Sequence, residues 1–158
     1  MPSTPAHQFV PATDADVPLI RDIVRAAYTR WVPVIGREPM PMKADYEKAV
    51  AEHRVDLLMV AGLVAGVIET MMRQDHLWIE NIAVDPSQQG RGYGKRLLAH
   101  ADDLSRAAGK PETRLLTNAA FEMNVALYRN AGYVITATEP FMGGTMVFMS
   151  KSTDGRVG

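Results

Sequence analysis

Between positions 89 and 96 the chain reads Gln89-Gly90-Arg91-Gly92-Tyr93-Gly94-Lys95-Arg96. Alternating glycines that lead into a helical run suit a backbone anion site. Glycine lets the main chain approach a phosphate, and the unpaired N–H groups and dipole at a helix start favour negative charge. Arg91, Lys95 and Arg96 add to this, because cations at the positive end of a helix oppose its dipole unless an anion lies between them. A flexible turn would account for the glycines but not for the cations. Two common phosphate motifs fail on identity: a dinucleotide fingerprint needs glycine at 95, where Lys95 stands, and a Walker loop needs glycine at 89, where Gln89 stands.

Other candidates are scattered. Tyr128 follows Asn124 by one helical turn, so both side chains share a face and can meet one ligand; the competing readings are a core tyrosine and a solvated asparagine. Glu80 lies two residues before Ile82 and shares its strand face if no bulge intervenes, serving either catalysis and substrate binding or a structural ion pair. His7, His53, His76 and His100 show no metal-ligand spacing and read as surface residues. With no cysteine there is no disulfide, thiolate ligand or cysteine nucleophile, and no GxSxG elbow presents a serine. No metal is expected, since no carboxylate cluster suits magnesium.

The elements that position these residues follow from periodicity and punctuation. Thr13 and Asp16 have capping-box spacing, and Leu19, Ile20, Ile23, Val24 and Ala27 continue at helical intervals to about 28–31. Three prolines and a glycine make 32–42 a loop, an unusually apolar one. Helix at 45–53 precedes a hairpin of 55–60 and 63–71 turning at Ala61-Gly62. A strand at 77–84 is stopped by Asp85-Pro86, and Leu97, Leu98, Ala101, Leu104 and Ala108 mark a helix ending at Gly109. Strand 113–118, helix 122–130 and strands 133–138 and 146–151 complete a mixed α/β pattern. The tail 152–158 is expected to fray.

Gln89-Gly90-Arg91-Gly92-Tyr93-Gly94 resembles the acetyl-CoA signature of the GNAT family of N-acetyltransferases: glutamine or arginine, two residues, glycine, one residue, then glycine or alanine. It stands where that signature belongs, after a strand and before an amphipathic helix. Asn124-Val125-Ala126-Leu127-Tyr128-Arg129-Asn130-Ala131-Gly132-Tyr133 is similar to the family's second motif. The likeness covers nearly the whole chain and is strongest over 77–133.

The resemblance implies a GNAT fold: a mostly antiparallel central sheet splayed at the acetyl-CoA-binding strand, with helices on both faces. By this likeness the amides from Arg91 to Lys95, within the turn from Gln89 to Arg96, hold the pyrophosphate. The edge of Ile82-Ala83-Val84 pairs with pantetheine, and the Ile82 N–H donates to the thioester carbonyl. Asn124 touches the cofactor arm and Tyr128 protonates the departing thiolate. Glu80 deprotonates the amine directly or through water, although the family's best-known base position falls nearer Trp78. Acetyl-CoA is the implied cosubstrate, without a metal. The implied acceptor is a primary amine of a small molecule or peptide, attacking directly in a ternary complex. The segments 31–42 and 140–144 would flank an acceptor with an apolar body, with Arg37, Glu38 or Tyr46 for polar selection. Family members often form homodimers. An acyl-CoA-binding sensor without turnover is the competing class, and it could dispense with Tyr128.

Whole-chain properties are consistent with this. A chain of 158 residues suits a single domain over 1–158, and 47% hydrophobic with 22% charged residues is ordinary for globular chains. A net charge of -1 gives no general attraction to nucleic acid or to an acidic membrane surface. No stretch approaches the ~20 apolar residues of a membrane helix, the N-terminus does not read as a secretory signal, and a cytoplasmic location is expected.

Overall fold

Arg54–Val60 (β2) and Leu63–Met72 (β3) meet at Ala61 and Gly62, whose φ values of 52° and 82° make the two-residue turn that suits right-twisted strands. This hairpin anchors a seven-stranded sheet in a computed structural model that describes residues 7–153. The other strands are β1 (His7–Pro11), β4 (Leu77–Val84), β5 (Glu112–Asn118), β6 (Val134–Phe141) and β7 (Gly144–Ser152), in the order β1-β2-β3-β4-β5-β7-β6. Every neighbouring pair is antiparallel except β4 with β5. Helices cover both faces, as the mixed sheet requires.

On one face lies α1 (Val17–Tyr28), whose Ile20, Ile23 and Val24 pack with Leu57, Val67 and Ala83 of the sheet and with Tyr46 and Ala49 of α3 (Tyr46–Glu52). Thr13 and Asp16 form the capping box before α1, with the Thr13 N–H donating to Asp16 Oδ2 at 2.7 Å. The other face carries α4 (Tyr93–Ala107) and α5 (Glu122–Asn130); Leu97, Leu98 and Ala101 join Tyr128, Ile68, Leu115 and Met149 in a second core.

Five expectations change. Strand β1 is an addition, because a five-residue edge strand carries too little pattern to register. The segment 32–42 is not simply a loop: it holds α2 (Val32–Ile35) and a 3₁₀ turn at Met40–Lys43, with prolines placed early in each, where no N–H is needed. Pro140 and Phe141 belong to β6, and the connection to β7 shrinks to Met142 and Gly143. Finally, Ser152 ends β7 and Thr153 is buried, with its N–H donating to Pro111 O and its hydroxyl 2.7 Å from Ser105 Oγ. The remainder of the tail lies outside the described residues. The histidines also differ from expectation: His53, His76 and His100 are half-buried and sit against Glu69, Asp75 and Asp56 at 2.6, 2.7 and 2.8 Å.

Candidate active site

Strand β4 pairs with β3 along its length but with β5 only through Leu77, Trp78 and Ile79. Beyond Ile79 the two strands part. At the same point the β3 register steps from Thr70↔Ile79 to Glu69↔Asn81, so Glu80 is the extra residue of a bulge. The bulge resets which face each side chain takes. Ile79 and Ile82 both enter the α4-side core, whereas Asn81 and Ala83 face α1. Glu80 therefore does not share a face with Ile82, as an unbroken strand would have it.

Backbone direction matters as much. The Asp85 N–H donates to Ala65 O on β3, so by strand alternation Ala83 points the same way while Ile82 and Val84 point into the gap. A contact from the Tyr28 hydroxyl to Ile82 O at 3.4 Å agrees with this.

The glycine stretch follows at once. Gly90 and Gly92 have φ of 80° and 82°, a conformation that side chains with a Cβ rarely adopt, and a Cβ on either would meet no protein atom within 4 Å. Gly92 is the N-cap of α4 and brings no side chain to its amides, and the first turn contains no acidic residue. Of the first-turn N–H groups only that of Arg96 is turned inward, onto Gly92 O at 3.2 Å. Orphan donors and a helix dipole thus open next to the gap in the sheet.

Together they bound a cleft of about 280 Å³. Ile82, Ala83, Val84, Gln89, Gly90, Gly92, Tyr93, Gly94, Lys95, Asn124 and Tyr128 all line it. Tyr93 contributes backbone, its ring being buried in the core, and Arg91 and Arg96 are exposed outside the lining. Neither the Asn124 amide nor the Tyr128 hydroxyl has a hydrogen-bond partner among the described residues, so both polar groups are free to serve a ligand. Burial pushes the Tyr128 phenol up to about 12, and it stays protonated through neutral pH.

A second cavity, of about 90 Å³, lies on the α1 side of the sheet, and Tyr28 lines both. Its walls include Ile35, Arg37, Pro39 and Met40 from the segment after α1, Phe141 and Met146 from the C-terminal hairpin, and Glu80 from the bulge. Glu80 accepts the Trp78 indole N–H at 2.8 Å and forms no ion pair among the described residues. A buried chain ties the two cavities together: Tyr28 OH donates to Asn81 Oδ1 (3.1 Å), Asn81 Nδ2 to Tyr46 OH (3.0 Å), and Tyr46 OH to Pro41 O (2.6 Å). Burial, with repulsion from the Tyr128 and Tyr46 phenols, holds the Tyr28 phenol well above its ordinary value.

The profile of the Acetyltransferase (GNAT) family matches residues 19–133, well over half of the chain. The chain belongs to the GNAT acetyltransferase family. The ribosomal-protein-S18-alanine N-acetyltransferase from Escherichia coli shares its fold at a TM-score of 0.76 and 21% identity, over 96% of each chain. PaiA N-acetyltransferase from Thermoplasma acidophilum, solved with coenzyme A, superposes at 0.80 with 14% identity, over 93% of this chain and 99% of that one. YncA of Salmonella typhimurium, solved with its cofactor acetyl-CoA, superposes at 0.70 with 20% identity and 97% of each chain covered. No curated protein sequence matches the chain.

In this GNAT acetyltransferase the cavities are also lined by residues that the sequence did not single out, Tyr28 and Arg30. Tyr28, at the end of the first helical run, read only as an apolar terminus, yet it lines both cavities; Trp31, which opens the segment 31–42 expected to flank the acceptor, lines the first cleft instead and stacks on Phe121 at 5.0 Å. Arg30 reaches across the cleft mouth to the Gln89 side-chain oxygen and to Met123 Sδ. Their one signal was an aromatic and cationic cluster just before the proline-rich segment.

Proposed function

We propose that the chain transfers the acetyl group of acetyl-CoA to a primary amine of a small molecule or peptide, by direct attack within a ternary complex in the cytoplasm. The observation that carries this reading is the junction of two donor sets in one cleft: strand amides freed where β4 leaves β5, and helix amides left uncapped at Gly92.

Bound there, acetyl-CoA supplies an activated acetyl thioester. The Gly92, Tyr93, Gly94 and Lys95 amides hold its pyrophosphate, with Arg91 and Arg96 adding positive potential from outside. Asn124 donates to the arm of the cofactor. The Ile82 N–H donates to the thioester carbonyl oxygen as negative charge develops on it. Glu80, on the acceptor side, receives the proton that the amine gives up as the C–N bond forms. The Tyr128 hydroxyl protonates the sulfur as the C–S bond breaks, and solvent in the cleft restores the phenol. The two cavities meet at Tyr28, so amine and thioester approach from opposite sides of that ring, and proximity supplies much of the rate.

Calorimetry with acetyl-CoA, CoA, ATP and NAD, followed by thiol release across an amine panel, tests the reading. Binding of acetyl-CoA and CoA alone, unaffected by EDTA, with thiol release on adding an amine, is expected. Binding without thiol release from any amine would leave an acyl-CoA sensor, and preference for ATP or NAD would reject the cleft assignment.

A further inference from the structure

The second cavity holds two opposite charges that do not meet. Arg37 and Glu80 both line it, yet form no ion pair with each other, and each is restrained elsewhere. The guanidinium of Arg37 lies over the Phe141 ring, 5.5 Å from its centroid, while the Glu80 carboxylate is held by the Trp78 indole. The adjacent acid, Glu38, is no partner for Arg37: it pairs with Arg25 at 2.7 Å, and Arg25 also donates to Met42 O at 2.8 Å. The Tyr46 hydroxyl is likewise occupied, by Pro41 O and Asn81. Among the polar selectors that the sequence suggested, only Arg37 is left without a hydrogen-bond or ion-pair partner among the described residues.

A half-buried guanidinium without an acid is costly unless something else meets its donors. Stacking on Phe141 occupies a face of the planar group and leaves its edge N–H groups available, the arrangement that suits two parallel bonds to a carboxylate. The rest of the wall is mostly apolar, including Ile35, Pro39, Met40, Leu116 and Met146 beside Thr117 and Asn118. The space of about 90 Å³ is far smaller than a drug-sized site.

We propose that the acceptor is a compact zwitterion, an amino acid with an apolar side chain, whose ammonium faces Glu80 and whose carboxylate is held by Arg37. This rests on the transferase reading above and narrows its acceptor. An amine without the anion would leave the edge donors of Arg37 without a partner in the cavity, and polar groups of a site left unpaired are what give it discrimination. A neutral peptide N-terminus has the same defect, because its first carboxyl is an amide.

The test compares thiol release from acetyl-CoA with leucine, methionine and phenylalanine, each against its decarboxylated amine and its carboxamide. The wild type is expected to favour the free acid by tenfold or more in kcat/KM over both analogues. Arg37→Met should bring that ratio towards one, mainly through the KM of the acid, while Arg37→Lys, which keeps the charge, recovers part of it. Acetyl-CoA affinity, measured by calorimetry on each variant, shows that the fold and the first cavity persist. Equal or better use of the amine or carboxamide by the wild type would overturn the proposal, as would a ratio unchanged in Arg37→Met. Failure of all nine compounds with acetyl-CoA bound would also overturn it, whereas failure to bind acetyl-CoA at all would instead reject the transferase reading beneath it.

Discussion

Tyr128 illustrates how one side chain can be read for its chemistry. Its ring packs edge-on against Tyr133, with centroids 6.1 Å apart, and is buried among core residues, but its hydroxyl has no partner to lose among the described residues. Tyr128→Phe therefore leaves the packing in place, and the melting temperature should move little. Loss of a general acid commonly costs 10² to 10⁴ in rate, so kcat should fall by about 10²-fold or more while acetyl-CoA affinity changes by a few fold. Steady-state kinetics beside calorimetry checks this, and near-full kcat with chemistry rate-limiting would favour water as the donor. The helical spacing of Asn124 and Tyr128 was legible in the sequence, because a turn of helix fixes which side chains share a face. Glu80 was legible only as a carboxylate on a strand. Its place in the second cavity depends on a bulge set by the register with β3, which no local pattern reveals.

Among the elements, β3 and β4 must lie close for the gap beside β4 to keep its shape. Gly66 pairs with Val84, and a Cβ there would come within 2.9 Å of Ala83 O and 3.1 Å of Leu97 Cδ1. Backbone cannot give way as a side-chain end can. Gly66→Ala should destabilise the protein by about 1–3 kcal/mol, the usual range for overpacking, with weaker acetyl-CoA binding as β4 is displaced. Urea unfolding and calorimetry read the two effects separately, and unchanged values in both would show slack between the strands. The strand, glycine turn and helix from Leu77 to Ala107 were foreseen almost residue for residue, since Asp85-Pro86 and the glycines punctuate strongly. The short α2 was not, because prolines signal a helix start only when the next turn forms, and that turn is stabilised by contacts of Val32 and Ile35 with the α1-side core.

At the scale of the whole molecule, Asp56 links three elements. Buried on β2, it accepts from His100 of α4 at 2.8 Å and from Arg54 at 2.8 Å, and His100 stacks on Phe9 of β1 at 3.8 Å. Burial alone would push its carboxyl up, but the hydrogen bonds from His100 and Arg54 outweigh it and hold the group below the usual carboxylate range. The native state then binds protons less readily than the unfolded chain. This contribution is present above the unfolded value of about 3.9 and is lost as pH falls through the lower native one. Asp56→Asn should cost roughly 1–3 kcal/mol near neutrality, a difference from wild type that narrows below about pH 4. Denaturant titrations at several pH values would show it, and a gap constant with pH would remove the charge from the account. The sheet itself divides unevenly. Four strands, β1 to β4, meet three, β5 to β7, across just three residue pairs, whereas β3 with β4 and β5 with β7 each register seven. Such a seam is where a native protein opens without unfolding. Hydrogen exchange should therefore be faster at the amides of Leu77 to Ile79 and Thr113 to Leu115 than along β2 and β3, and acetyl-CoA, spanning the gap, should slow it there most. One rate throughout the sheet would mean that the two blocks open only together.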